Sequence, residues 1–146
     1  MIKMRRLGIA FLVVASLGAL TGRRALFGQS CDDDEAMVKD YQKSLTELID
    51  TVKKESLADF EKAYHQKVCM SKLTFCLSTI DGLVECLDKA SQDAATPKDQ
   101  AEAAKTKRDS YAKLKGKMQD ARTALKAAAD NPKEAKALIE KFDFSN

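Results

Sequence analysis

Three of the four cysteines of this chain lie within residues 69–87 (CMSKLTFCLSTIDGLVECL), which also carry its longest regular apolar stripe. The stripe recurs at alternating spacings of four and three residues and consists of Cys69, Leu73, Cys76, Ile80, Leu83 and Leu87. This spacing is typical of a helix that packs along its length against other helices, as in a coiled coil. Cysteine therefore occupies core positions, where it serves as a small buried hydrophobe or as part of a disulfide.

The composition favours an all-α fold. A chain of 146 residues can build one modest core and has no room for a second domain. Tryptophan is absent, and both prolines fall late in the chain, at Pro97 and Pro132. Because Ala, Lys, Asp and Glu dominate, long helices with polar outer faces are expected. We predict an up-down helical bundle of three to five helices, which disulfide bonds can reinforce.

Residues 1–30 have the pattern of a secretory signal peptide. Lys3, Arg5 and Arg6 precede an apolar run at residues 7–20. This run of 14 residues is shorter than the roughly 20 residues that a helix needs to span a bilayer. We therefore predict a signal peptide at 1–30, a bundle domain at 31–146 and a secreted or periplasmic location. An uncleaved membrane anchor is the alternative.

The net charge depends on that segment. Residues 1–30 hold five basic residues and no acid, so the full-length charge of +3 becomes −2 once they are removed. Within the remaining chain, residues 31–66 carry −5 and residues 97–129 carry +5. These charges favour packing of the basic helix beside the acidic one, and peripheral contact of residues 97–129 with an anionic membrane is the alternative. Nucleic-acid binding is not expected, since the basic residues are not interleaved with aromatic ones.

Helix one is predicted to begin near Met37. Its apolar face comprises Met37, Val38, Tyr41, Leu45, Leu48, Ile49 and Val52. Ser56, followed three residues later by Asp59, is typical of a helix N-terminus. It predicts a second helix over residues 57–90, which carries Leu57, Phe60, Tyr64 and Val68 into the cysteine stripe.

Thr96 and Pro97 predict the start of a third helix over residues 97–129, because proline suits the first helical position. Its seam comprises Ala104, Tyr111, Leu114, Met118, Ala121, Leu125 and Ala128. Asn131 and Pro132 then end this helix and begin a short last one, whose apolar residues are Ala135, Leu138, Ile139 and Phe142. The second and third helices have matched lengths, which favours an antiparallel hairpin.

All four cysteines are disulfide candidates: Cys31, Cys69, Cys76 and Cys86. Cys69 and Cys76 cannot pair within one helix, because seven residues rise about 10.5 Å and bonded cysteines need Cα atoms within about 7 Å. Two bridges therefore require a helix break at Gly82, which we favour because each bridge stabilises a small exported domain by about 2–4 kcal/mol. An unbroken helix would allow one bridge, from Cys31, and leave two thiols.

Few residues support catalysis. The chain has one histidine, His65, no CxxC motif and no glycine-rich phosphate loop. Nucleophilic or metal-dependent catalysis needs several such groups in one cleft, so we expect neither an enzyme nor a cofactor. His65, Cys69 and Cys76, with Met70 beside them, lie on one side of the predicted helix and form the one candidate site for a soft metal such as copper or zinc.

The function expected from these features is that of an exported, non-enzymatic binding or scaffolding module with a protein partner. A soft-metal or thiol-redox protein that uses the cysteine helix is the alternative. The two classes of protein differ in whether the cysteine thiols are accessible and in whether His65 lies close enough to them to share a metal ion.

Overall fold

The computed structural model describes residues 21–145, with side chains from residue 31 onward, and all its regular structure in this range is helical. The five helices are α1 (Thr21–Lys54), α2 (Leu57–Lys62), α3 (His65–Gln92), α4 (Lys98–Ala127) and α5 (Pro132–Ile139). The all-α prediction is therefore confirmed. The boundary expected between residues 30 and 31 falls inside α1, and most of the predicted signal peptide lies outside the described residues.

Helix α3 is the centre of the bundle and packs against α1 on one side and α4 on the other. Both neighbours run antiparallel to it. Cys31, in the first half of α1, meets the C-terminal part of α3 at the Cys31–Cys86 disulfide. The end of α4 meets the start of α3, where Gln66 donates to the Ala128 carbonyl at 3.1 Å. The short α5 closes the end of the bundle against α2.

The predicted seams of the two long central helices are confirmed. Every position of the cysteine stripe is buried, and so is every position of the α4 seam. Their shared core is continuous with the apolar face of α1, whose Val38, Leu45 and Val52 are fully buried. Alternating three- and four-residue spacing predicts the buried positions correctly, because side chains three and four positions apart share one helix face.

The predicted continuous helix over residues 57–90 is wrong at its start. Tyr64 adopts a left-handed conformation with φ of 54° and separates α2 from α3. This turn lets Phe60 insert into the end of the bundle, where it is 1% exposed. Leu57, Tyr64 and Val68 are exposed instead of buried as expected, because a helix that turns over the bundle end presents a different face to the core. Met37 on α1 is exposed as well.

The favoured helix break at Gly82 is also wrong. Helix α3 passes through Gly82 without interruption. A glycine within a helix costs only about 1 kcal/mol, whereas the continuous helix buries both Leu83 and Leu87, each worth about 1.5–3 kcal/mol. The chain consequently holds one disulfide among the described residues, Cys31 to Cys86, and two free thiols, Cys69 and Cys76. This is the alternative that the cysteine spacing left open.

Replacement of Gly82 by alanine tests this continuity. A Cβ at Gly82 would lie 3.7 Å from Asp34 Oδ2, which is an ordinary contact. We expect Gly82→Ala to raise the free energy of unfolding by about 0.5–1 kcal/mol, because alanine loses less backbone entropy in a helix. Urea denaturation measures the change. Gly116→Ala on α4, where a Cβ would meet no atom within 4 Å, is the control and should give a similar gain; a loss at residue 82 alone would contradict a continuous α3.

The ends of the helices follow local signals. Ser56 Oγ accepts from the Asp59 backbone N–H at 3.2 Å and caps α2 as expected. Asn131 caps α5 in the same way, with Pro132 at the first helical position. Helix α4 begins one residue later than predicted, at Lys98, and Pro97 takes the cap position without a side-chain hydrogen bond.

The opposite charges of α1 and α4 meet at one point. Glu35 on α1 lies 2.7 Å from Lys107 Nζ on α4, and Lys39 also pairs with it. These hydrogen bonds to lysine lower the pKa of Glu35 to about 2. Two further α4 cations pair with α3, Arg108 with Asp88 and Lys115 with Asp81. Three of the nine cationic residues of α4 are therefore paired with α1 or α3.

Candidate functional site

The four candidate metal ligands occupy different surroundings. His65 begins α3, and its Nδ1 donates to Glu55 Oε2 at 2.7 Å, while its ring meets the edge of Phe60 with a centroid distance of 6.2 Å. This pair links the end of α1 to the start of α3 across the short α2. The histidine therefore already has a structural partner.

The two thiols face the core. Cys69 and Cys76 are fully buried, and burial raises the pKa of Cys69 to about 12 and that of Cys76 to about 11. Met70 is only partly buried and lies on another face of α3. Between residues 31 and 145, no group of three or more His, Cys, Asp or Glu side chains is arranged to hold a metal ion.

Burial predicts that both thiols are unreactive in the folded protein. Each unit of pKa lowers the thiolate fraction tenfold, so we expect alkylation near pH 8 to be at least about a hundredfold slower than in denaturant. Denatured protein should take up two labels without reductant and four labels after reduction, as counted by intact mass. Rapid labelling of Cys69 or Cys76 under native conditions would contradict the burial.

The same burial predicts how stability changes at high pH. Because the folded state holds these protons above the ordinary thiol pKa of 9.0, the unfolded chain binds fewer protons there. The free energy of unfolding should therefore fall as pH rises from about 9 towards 11 and 12, and should be insensitive to these thiols below pH 9.

An open groove lies between the start of α3 and the end of α4. It has a volume of about 480 Å³ and is lined by Gln66, Lys67, Met70, Ser71, Thr74, Phe75, Leu125, Lys126 and Ala129. Phe75 is 59% exposed at its edge, and the buried Leu125 forms part of its floor. A phenylalanine with this exposure is unusual on a domain that buries all its other described phenylalanines wholly or partly.

The apolar surface continues towards the start of α3. A second cavity of about 270 Å³ shares Gln66 and Lys67 with the groove and reaches Phe60, Glu61, Tyr64 and Pro132. Tyr64 is 64% exposed, and Lys67 Nζ lies 5.3 Å from the centre of its ring, within the range of a cation–π contact. We call the two cavities together the α3–α4 groove; its α3 wall runs from Tyr64 to Phe75.

Ion pairs join α3 to α4 in the other half of the interface between these two helices. There, Lys115 Nζ lies 2.5 Å from Asp81 Oδ1, and Arg108 Nη1 lies 2.6 Å from Asp88 Oδ1. Among the described residues, no ion pair joins α3 to α4 beside the groove, and neither Lys67 nor Lys126 has an ion-pair partner. Ion pairs thus join the two helices at one end of their interface, whereas at the other end a hydrogen bond from Gln66 to the Ala128 carbonyl joins them.

The first cavity of the groove is lined by two cationic residues, Lys67 and Lys126, and by no acidic residue, whereas Glu61 lines the second cavity. Residues 62–80 and 121–129, which include the whole lining of the first cavity, contain no acidic residue. The domain as a whole carries −2 once residues 1–30 are excluded. This local charge therefore favours an anionic ligand, against the sign of the rest of the surface.

Sequence reasoning missed the groove and its exposed aromatic residue. The available signals were that Phe75 lies outside the apolar stripe and that residues 62–80 lack acids. The sequence suggests Met70 only as a metal ligand, whereas the structure places it on the wall of the groove.

The fold and the groove define the class of the molecule: an antiparallel all-α bundle with one disulfide and an open apolar surface edged by cations. No helix among the described residues has the length and apolarity required to cross a membrane. Comparison with models of protein families, with curated proteins and with solved structures found no match.

Proposed function

We propose that this protein is an exported helical-bundle module that binds a protein partner through the α3–α4 groove, without catalysis. The observation that carries the proposal is the exposed Phe75 beside an apolar cavity whose two walls carry Lys67 and Lys126, neither of which has an ion-pair partner among the described residues. An exposed apolar patch with a polar rim is typical of an interaction site. Aromatic residues in such a position are frequent anchors of protein interfaces.

Two independent features support export. The N-terminal pattern of cations and a short apolar run is that of a signal peptide. The disulfide between Cys31 and Cys86 suits an oxidising compartment, since such bonds are rare where cellular reductants act.

The soft-metal and thiol-redox alternative has less support. A metal at His65 Nε2, with Nδ1 still bonded to Glu55, would have to recruit Cys69 and Cys76 from the core as thiolates, against a raised pKa. Membrane contact through residues 97–129 also has less support, because the apolar seam of α4 is buried and several of its cations are paired with α1 and α3.

Site-specific photo-crosslinking in the cell that exports the full chain tests the proposal. A photoreactive phenylalanine analogue replaces Phe75 in one variant and Met37 in the control. Met37 is an apolar side chain of similar exposure, 47%, on α1 and outside the groove. We expect discrete protein adducts from position 75 and none from position 37. Equal adducts at the two positions, or none at position 75, would contradict binding through the groove.

A further inference from the structure

We propose that the segment bound by the α3–α4 groove is an acidic amphipathic helix of the partner protein; this inference rests on the proposed function. The groove lies between two antiparallel helices, which is the geometry that accepts a third helix side by side. Its walls carry small or short residues, Ser71, Thr74 and Ala129, that allow close approach of another backbone. From Gln66 to Phe75 the α3 wall rises about 13.5 Å, or two to three helical turns.

The charge of the groove indicates which charged side chains the bound helix carries. Lys67 stands on the α3 wall and Lys126 on the α4 wall, and neither has an ion-pair partner in the described part of the chain. A bound helix with an apolar stripe over Met70 and Leu125 would place its flanking residues beside these two lysines. Carboxylates on both flanks of the stripe complement the site, and lysines there would be repelled.

Other occupants complement the groove less well. The N-terminal segment of this chain is itself basic, with five cations in residues 1–30 and no acid. A second copy would offer its acidic α1, but the apolar face of α1 is buried in its own fold apart from Met37. A flat anionic bilayer would not reach the floor of a concave groove, where Leu125 is fully buried.

Two synthetic peptides test the charge preference. They share one apolar stripe and an equal helical content, and they differ in that glutamates flank the stripe in one and lysines in the other. Fluorescence anisotropy against the full-length protein should show the acidic peptide binding at least about tenfold more tightly, as expected for two exposed ion pairs replaced by repulsion. Equal affinities, or tighter binding of the basic peptide, would overturn the inference.

Protein variants locate that preference in the groove. Lys67→Glu with Lys126→Glu should reverse the preference between the peptides, and Phe75→Ala should weaken both. The matched control is Lys43→Glu with Lys105→Glu, which makes the same change in net charge at two exposed lysines outside the groove. This control should bind as the wild type does. An equal effect of the two charge reversals would overturn the placement of the peptide in the groove.

Competing occupants have their own measurements. Co-sedimentation with phosphatidylglycerol vesicles, or displacement of the acidic peptide by oleate, that depends on Phe75 and Lys126 would overturn the inference in favour of a lipid. Concentration-dependent dimers that Phe75→Ala abolishes would overturn it in favour of a second copy. Neither result is expected.

The crosslinking experiment separates this inference from the function on which it rests. Mass spectrometry of the adduct at position 75 identifies the partner segment. An adduct on a segment that is not an acidic amphipathic helix would overturn the inference and leave the proposed binding function intact. Lack of any protein adduct would remove both.

Discussion

Loss of the Cys31–Cys86 disulfide should lower the free energy of unfolding by about 4 kcal/mol, which is the entropic effect expected for a cross-link that closes a loop of this size. The two cysteines are 55 residues apart, and their Cα atoms lie 5.8 Å apart in the fold. The bridge joins the first half of α1 to the C-terminal part of α3, so it restrains the chain between residues 31 and 86. Urea denaturation of Cys31→Ser with Cys86→Ser, compared with the wild type, measures the loss.

Urea denaturation in the presence of a reductant provides the control for this result. The reductant should lower the stability of the wild type towards that of the double-serine variant. It should leave the stability of that variant unchanged, because Cys69 and Cys76 are already free. Wild-type protein that is insensitive to reductant while still unfolding reversibly would show that the bridge contributes little. A reductant effect on the double variant would mean that the remaining thiols form a bridge of their own.

The helical seams could be predicted because they depend on a local rule. Positions three and four apart face the same neighbour, so Leu73, Ile80 and Leu125 could be assigned to the core from spacing alone. The structure departs from the predicted helices at Gly82 and at Tyr64, where opposing contributions of similar size to the free energy decide the conformation. At Gly82 the burial of the following leucines outweighs the weak helix propensity of glycine, and no local pattern reports that balance.

The turn at Tyr64 had no such signal either. A left-handed conformation is usual for glycine or asparagine, and a tyrosine there is held by its surroundings. The buried Phe60 and the pair of Glu55 with His65 fix the chain on each side of it. These contacts join residues about ten positions apart across a change of direction, which helical periodicity cannot describe.

The groove was beyond prediction for another reason. Its walls come from two helices that ion pairs join near Asp81 and Asp88 but, among the described residues, not near Lys67 and Lys126. That contrast becomes visible only when the register between the two helices is known. The absence of acids from residues 62–80 was present in the sequence, but without the register it did not indicate a surface.

Two neighbouring positions on α3 should separate stability from binding. Leu73 is fully buried in the seam, whereas Phe75, two residues later, is 59% exposed at the groove. We expect Leu73→Ala to lower the free energy of unfolding by about 2–5 kcal/mol, through lost burial and the cavity that remains. Phe75→Ala removes a larger side chain but should change stability by no more than about 0.5 kcal/mol, because that ring already contacts water.

Urea denaturation gives the stabilities, and crosslinking from position 71, on the groove wall, gives binding of the partner in the same two backgrounds. Under conditions where both variants are folded, Phe75→Ala should lose most of the adduct and Leu73→Ala should retain it. The opposite pattern, with a large stability loss at Phe75, would make that ring a core residue. It would then remove the observation on which the groove rests, because an aromatic side chain needed for folding requires no partner to explain it.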